Sequence, residues 1–188
     1  MSFNNKVFDS FPILKTDRLT LREIRISDGK AIYKMRSNDR VNQFIPRPRM
    51  MDEIQGNDLA DRTAKAYVNK QGIGWAAMLR NDNKCIGTCG FNSIEPINRH
   101  AEIGGEMDTY YWGKGIAQEA FQEILRFGIT EMNLLTIEAK VAPDNRGAIF
   151  LLEKAGFVKE AHFKNRVFHR EQFLDMAVYT LHKGNERL

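Results

Sequence analysis

Between residues 100 and 141 the chain changes its hydrophobic period twice, and this restricts the fold more than any other feature. Residues 100–107 read as a strand. A turn with two glycines, Gly113-Lys114-Gly115, follows. Ile116, Ala120, Ile124 and Gly128 then form one row at helical spacing, and Ala117, Phe121 and Leu125 form the row beside it. Residues 134–141 are a compact apolar strand. Strand, helix and strand in succession require a parallel crossover, with the apolar stripe of the helix laid on a sheet.

The glycine turn is more than a break. A helix that starts without side-chain caps leaves several backbone N–H groups unpaired, at the positive end of its dipole. Glycine lets an anion approach closely and allows the unusual φ that such a turn needs. The segment Tyr111-Trp112-Gly113-Lys114-Gly115-Ile116-Ala117-Gln118-Glu119-Ala120 therefore suits a phosphate or pyrophosphate. Taken alone, it also fits a ligand-free turn. It lacks the last glycine of the dinucleotide pattern G-x-G-x-x-G, and no Walker string is present.

The rest of the chain supplies the sheet. Residues 1–15 read as a loosely docked lead-in, and residues 16–188 as a single domain. Residues 18–24 alternate like a strand. Ser27-Asp28 can cap a helix through Ala31, Ile32 and Met35, and residues 52–68 suit a second helix. Residues 73–79 and 85–94 flank Asn81-Asp82-Asn83-Lys84, a hairpin turn. Gly104-Gly105, within the strand over residues 100–107, suggests a bulge or a close backbone approach. Asn145 caps a short helix ended by Gly156, and residues 157–163 and 173–181 read as final strands. The order β-α-α-β-β-β-α-β-α-β-β gives an α/β (α+β) class, with a mixed, mostly antiparallel sheet and helices on its faces.

Composition narrows the function classes. A formal charge of +4 suits an anionic small ligand, and no Lys/Arg-rich run points to direct nucleic-acid binding. No apolar run reaches the roughly 20 residues of a membrane span. The first residues lack a signal-peptide core, so a cytoplasmic location is expected. Cys85 and Cys89 would lie about 13 Å apart along one strand, too far for a disulfide, and their spacing is not that of a zinc site. No metal is expected.

Two further strings join the glycine turn. Leu152-Glu153-Lys154-Ala155-Gly156-Phe157 closes the helix headed by Asn145, and Ala101-Glu102-Ile103-Gly104 precedes the turn. Together with Thr16-Asp17-Arg18-Leu19-Thr20-Leu21-Arg22, they make residues 16–182 resemble the GNAT acetyltransferase superfamily, and within it the branch that acetylates ribosomal-protein N-termini. The resemblance implies acetyl-coenzyme A as co-substrate and a parallel strand pair splayed around its pantetheine arm. It implies main-chain pairing at Met107, pyrophosphate contacts from Gly113, Lys114, Gly115, Ile116 and Ala117, and a cofactor contact from Asn145. The acceptor would be a primary amine, either a protein N-terminus or a small amine such as a polyamine.

A direct attack on the thioester needs a group to take the amine proton. Glu102, Glu106 and His100 share one strand face by the period of two, and Glu102 matches the acidic position of the branch motif. Leu152 stands where many relatives carry a tyrosine that can protonate the leaving thiolate. That departure keeps open a non-catalytic acyl-coenzyme A-binding module, and the turn by itself keeps open a nucleotide-binding domain. The sequence leaves the oligomeric state open, a homodimer included.

Overall fold

The computed structural model describes residues 2–187. Its strands are β1 (Leu14–Lys15), β2 (Leu19–Glu23), β3 (Ile73–Leu79), β4 (Cys85–Glu95), β5 (His100–Met107), β6 (Thr136–Val141), β7 (Val158–His169) and β8 (Gln172–His182). Its helices are α1 (Gly29–Arg36), α2 (Asp39–Asn42), α3 (Glu53–Val68), α4 (Ile116–Thr130) and α5 (Arg146–Lys154). The strands form one sheet in the order β1-β2-β3-β4-β5-β6-β8-β7. Every neighbouring pair is antiparallel except β5–β6, which the α4 crossover makes parallel.

Both faces of the sheet are covered. Alternation along β3 sends Trp75 and Ala77 into the core shared with α4 and α5, while Ala76 and Met78 pack on the other side with Ile32 and Met35 of α1 and Ala60 of α3. The expected helical stripe is the one α4 buries: Ile124 and Leu125 have no exposed surface, and Ile116, Ala120 and Phe121 lie beside them. Burying each of the larger side chains contributes about 1.5–3 kcal/mol. Gly128 completes the stripe, because a Cβ there would sit 2.6 Å from Phe91. On the opposite face, α1 and α3 touch through their main chains: a Cβ at Gly56 would lie 2.2 Å from the carbonyl oxygen of Gly29.

Three expectations need correction. The start of the chain is not a loose lead-in. Phe3 and Leu14 are buried, Phe8 and Phe11 pack on Tyr67, and the Trp75 indole donates to the Pro12 carbonyl at 2.8 Å. Apolar residues near the start find the open edge of the core, and β1 extends the sheet there. The final hairpin is also longer than its apolar pattern suggested, closing at the pair His169↔Gln172. The loop is Arg170-Glu171, both at positive φ (+49° and +62°). Two-residue hairpin loops with this geometry usually carry Asn or Gly, and their absence hid the turn.

The third concerns Gly104-Gly105, where a close backbone approach holds and a bulge does not. The β4–β5 register slips at Asn92 instead, between the pairs Phe91↔Ile103 and Ser93↔Glu102. Gly104 makes room for this irregularity, since a Cβ there would fall 2.5 Å from Asn92 Nδ2, and Gly105 lets the regular part of β4 approach, since a Cβ there would fall 2.8 Å from the Thr88 carbonyl.

Candidate active site

β5 and β6 pair only over His100↔Thr136, Ala101↔Ile137 and Glu102↔Glu138. Beyond Glu102 the strands part, although β5 runs on to Met107 and β6 to Val141. Gly105, in the middle of a central strand, is consequently exposed. The N–H of Asp108 is used toward β4, donating to the Ile86 carbonyl at 2.8 Å. Strand alternation therefore turns the N–H and C=O of Gly105 and Met107 toward the edge that β6 has left. The result is a strip of main-chain donors and acceptors inside a sheet, shaped for an extended amide chain.

The strip leads to the glycine turn. Gly113 and Gly115 both have φ of +72°, and Gly115 heads α4 with no side-chain cap. A Cβ on Gly113 would meet nothing within 4 Å, so the turn faces open space. The first N–H groups of a 15-residue helix are thus presented to an anion. Met107, Gly113, Gly115, Ile116 and Ala117 all lie along this one run of chain.

Two expected contacts have local partners. The Lys114 ammonium lies 4.0 Å from the centre of the Tyr110 ring, which holds the charge beside the turn. Asn145 caps α5, its Oδ1 accepting from the Ala148 N–H at 3.2 Å. Leu152 is buried in the core, so α5 carries no proton donor at that position. Tyr111 packs in the same core.

A clamp that the sequence did not reveal holds the turn in place. Glu119, in the first turn of α4, accepts from the Thr16 hydroxyl and from Arg18 through its main-chain N–H (2.8 Å) and its Nε (2.6 Å). Arg18 Nη1 donates to the Lys114 carbonyl at 2.8 Å. Burial pushes the Glu119 carboxyl up, but the hydrogen bonds from Thr16 and Arg18 outweigh it and hold the group below its ordinary value. The signal was present as Thr16 and Arg18 in one motif and Glu119 in another, but nothing local showed that they meet.

No register shift falls within β5, so His100, Glu102 and Glu106 do share a face, yet their surroundings differ. His100 Nδ1 pairs with the Thr136 hydroxyl at 2.9 Å. Glu102, at the crotch of the splay, takes a 2.6 Å hydrogen bond from Lys140, which also reaches Glu138 at 3.4 Å. That bond to Glu102 raises the Lys140 pKa and keeps the ammonium charged. Glu106 is almost wholly buried between two guanidiniums, with Arg36 Nε at 2.5 Å and Arg47 Nη2 also in contact. A carboxylate held by two arginines is an anchor, not a base.

Cys85 and Cys89 are free thiols. Burial pushes them up to about 11 and about 12, so neither supplies a thiolate near neutral pH. Among the described residues no three His, Cys, Asp or Glu side chains are grouped to hold a metal, and no helix is long and apolar enough to cross a membrane.

A splayed parallel pair running into an uncapped helix start leaves main-chain groups open along a strand and at a helix N-terminus. The model of the acetyltransferase (GNAT) domain matches residues 18–158, and the chain belongs to this family: it is an acetyl-coenzyme A-dependent N-acetyltransferase. It is 35% identical over 176 residues to the uncharacterized N-acetyltransferase YoaA of Bacillus subtilis (strain 168), covering 94% of this chain and 99% of the relative. It is 24% identical over 168 residues to the ribosomal-protein-serine acetyltransferase of Escherichia coli (strain K12), covering 87% and 92%. The fold is also that of RimL, a ribosomal L7/L12 α-N-protein acetyltransferase solved with coenzyme A, at TM-score 0.83 and 19% identity, covering 91% and 98%.

Proposed function

We propose that the chain acetylates a protein N-terminal amine by direct attack on acetyl-coenzyme A in a ternary complex. One observation carries the acetyl-coenzyme A reading: the main-chain edge of β5 that β6 leaves unpaired, at Gly105–Met107, leads through the short turn Thr109–Tyr111 to the uncapped glycine turn. The pantetheine arm would pair along that edge, with the pyrophosphate on the N–H groups from Gly113 to Ala117 and Lys114 adding charge. The N–H of Met107 would meet the thioester oxygen and stabilise the oxyanion. Asn145 would meet the arm from the β6 side. The protein would work in the cytoplasm.

The amine nitrogen attacks the acetyl carbonyl carbon, the tetrahedral intermediate collapses, the C–S bond breaks and coenzyme A leaves as thiolate. An α-amine, with a pKa near 8, loses its proton far more readily than a lysine near 10.4. Glu102 lies roughly 16 Å from Met107 along β5 at about 3.3 Å per residue, so it would take that proton along a chain of several waters. With Leu152 in place of a donor, the thiolate takes its proton from solvent. The two protonated thiols favour this direct route over an acyl-enzyme.

The test is thiol release from acetyl-coenzyme A with a panel of peptides and small amines, run beside thermal stabilisation by coenzyme A, ATP and NAD. Release with peptide α-amines and stabilisation by coenzyme A alone are expected. Release confined to polyamines or drug-like amines would move the acceptor class. Tight coenzyme A binding with no release from any amine would make the chain a binding module.

A further inference from the structure

The face of β5 that carries Glu106 has a surplus of positive charge at its Met107 end. Arg36 at the end of α1 and Arg47 in the following loop both contact the single buried carboxylate of Glu106. Arg40 of α2 lies 5.5 Å from the ring of Trp112, whose indole bonds the Met107 carbonyl. Arg49 pairs with Asp39 at 2.7 Å, and Arg170 at the tip of the β7–β8 hairpin approaches the same carboxylate at 3.8 Å. Arg36 and Arg47 thus outnumber Glu106 on β5, and around α2 the guanidiniums of Arg40, Arg49 and Arg170 outnumber the carboxylate of Asp39. The opposite balance holds at the crotch, where Lys140 alone faces Glu102 and Glu138. Lys34 and Asp108, 3.9 Å apart, offset each other.

Arg47 is the centre of this arrangement. Its Nε donates to Oδ1 of Asn42, a buried side chain, at 2.8 Å, which fixes the guanidinium in place. Its Nη2 is buried and ion-paired with Glu106. Burial works against its charge, Glu106 supports it, Arg36 opposes it again, and the sum leaves its pKa below the ordinary value. An anchoring role for Glu106 needs one arginine. A second, rigidly held, leaves net positive charge beside Glu106, which suits an incoming anion, since Arg presents paired donors to a carboxylate.

We propose that the preferred acceptor carries a carboxylate close to its reactive amine, and that Arg47, supported by Arg36 and Arg40, binds it. The inference rests on the acetyltransferase reading above and narrows its acceptor to an acidic one. A polyamine would meet the same guanidiniums as like charges.

The experiment measures thiol release at low salt with peptides that begin Ala-Asp-Asp, Ala-Gly-Gly or Ala-Lys-Lys, with free glutamate and with spermidine. The acidic peptide is expected to exceed the neutral one at least tenfold in kcat/KM, the basic peptide and spermidine to be poorest, and the gap to shrink as salt is raised. Preference for glutamate over the acidic peptide would support the inference with a small acceptor. In Arg47→Gln, KM for the acidic peptide should rise about tenfold, while KM for acetyl-coenzyme A and the rate with the neutral peptide stay unchanged. Arg40→Gln, at an exposed position, gives the same readout without disturbing the Asn42 network. Equal rates with all peptides, or a preference for basic acceptors, would overturn the inference and leave the acetyltransferase intact. No release from any amine, with coenzyme A still bound, would overturn both.

Discussion

The indole N–H of Trp112 donates to the main-chain carbonyl of Met107 at 2.8 Å. The bond ties the end of β5 to the start of the glycine turn, so the Met107 main chain and the turn keep a fixed separation. Trp112→Phe retains an aromatic ring but loses the donor, and a hydrogen bond of this kind contributes about 1 kcal/mol. We expect KM for acetyl-coenzyme A to rise about threefold to tenfold with little change in melting temperature. Unchanged steady-state parameters would show that the turn holds its shape without this bond.

Gly115 has φ of +72°, while a Cβ there would lie 3.6 Å from Arg18 Nη2, an ordinary contact. The penalty for a side chain is therefore backbone strain of about 1–3 kcal/mol together with crowding of a bound phosphate. Gly115→Val should weaken coenzyme A binding at least tenfold by calorimetry. Normal affinity in that variant would remove the turn from the cofactor site.

Glu119 gives a pH prediction. Its carboxyl is held low in the folded chain, so its stabilising effect is present above the ordinary value of 4.5 and is lost as pH falls through the lower folded value. Glu119→Gln lacks the effect at every pH. The difference in melting temperature between wild type and variant should be largest near pH 7 and should close as the buffer is taken below about pH 4.5. A difference that stays constant with pH would mean that Glu119 acts through packing alone.

Glu102→Gln should lower kcat tenfold or more with acetyl-coenzyme A affinity unchanged, as expected for one lost proton acceptor. Full turnover in the variant would leave the amine to lose its proton to bulk water.

Removal of residues 1–11 takes away buried Phe3 and the rings of Phe8 and Phe11 on Tyr67. Loss of such packing costs about 2–5 kcal/mol. Thermal melting of the shortened chain should shift down by several degrees. An unchanged transition would mean that the segment only rests on the domain.

Some of this was legible from residues alone. The α4 stripe, the crossover and the glycine turn show because each is a local pattern: a 3.6-residue period or two glycines at one strand-to-helix junction. The bulge at Asn92 did not show, because Gly104-Gly105 marks space for a neighbour's irregularity and not an irregularity of its own. The Arg170-Glu171 turn lacks the residues that usually signal left-handed geometry. The Glu106 cluster was the least visible, since Arg36 and Glu106 are separated by 70 positions and only the sheet brings them together. Glu106 looked like a second base until the structure placed two guanidiniums on it.

Gly29 and Gly56 are in main-chain contact where α1 crosses α3. Where the two glycines meet there is no side chain to shorten, so the helices cannot be drawn closer at that point by exchanging a larger residue for a smaller one. Arg36 is therefore carried on a wall of fixed position. Changes in acceptor choice, whether by natural drift or by engineering, are then confined to the parts around it that can be resized: the loop bearing Arg47 and Arg49, and the hairpin tip bearing Arg170.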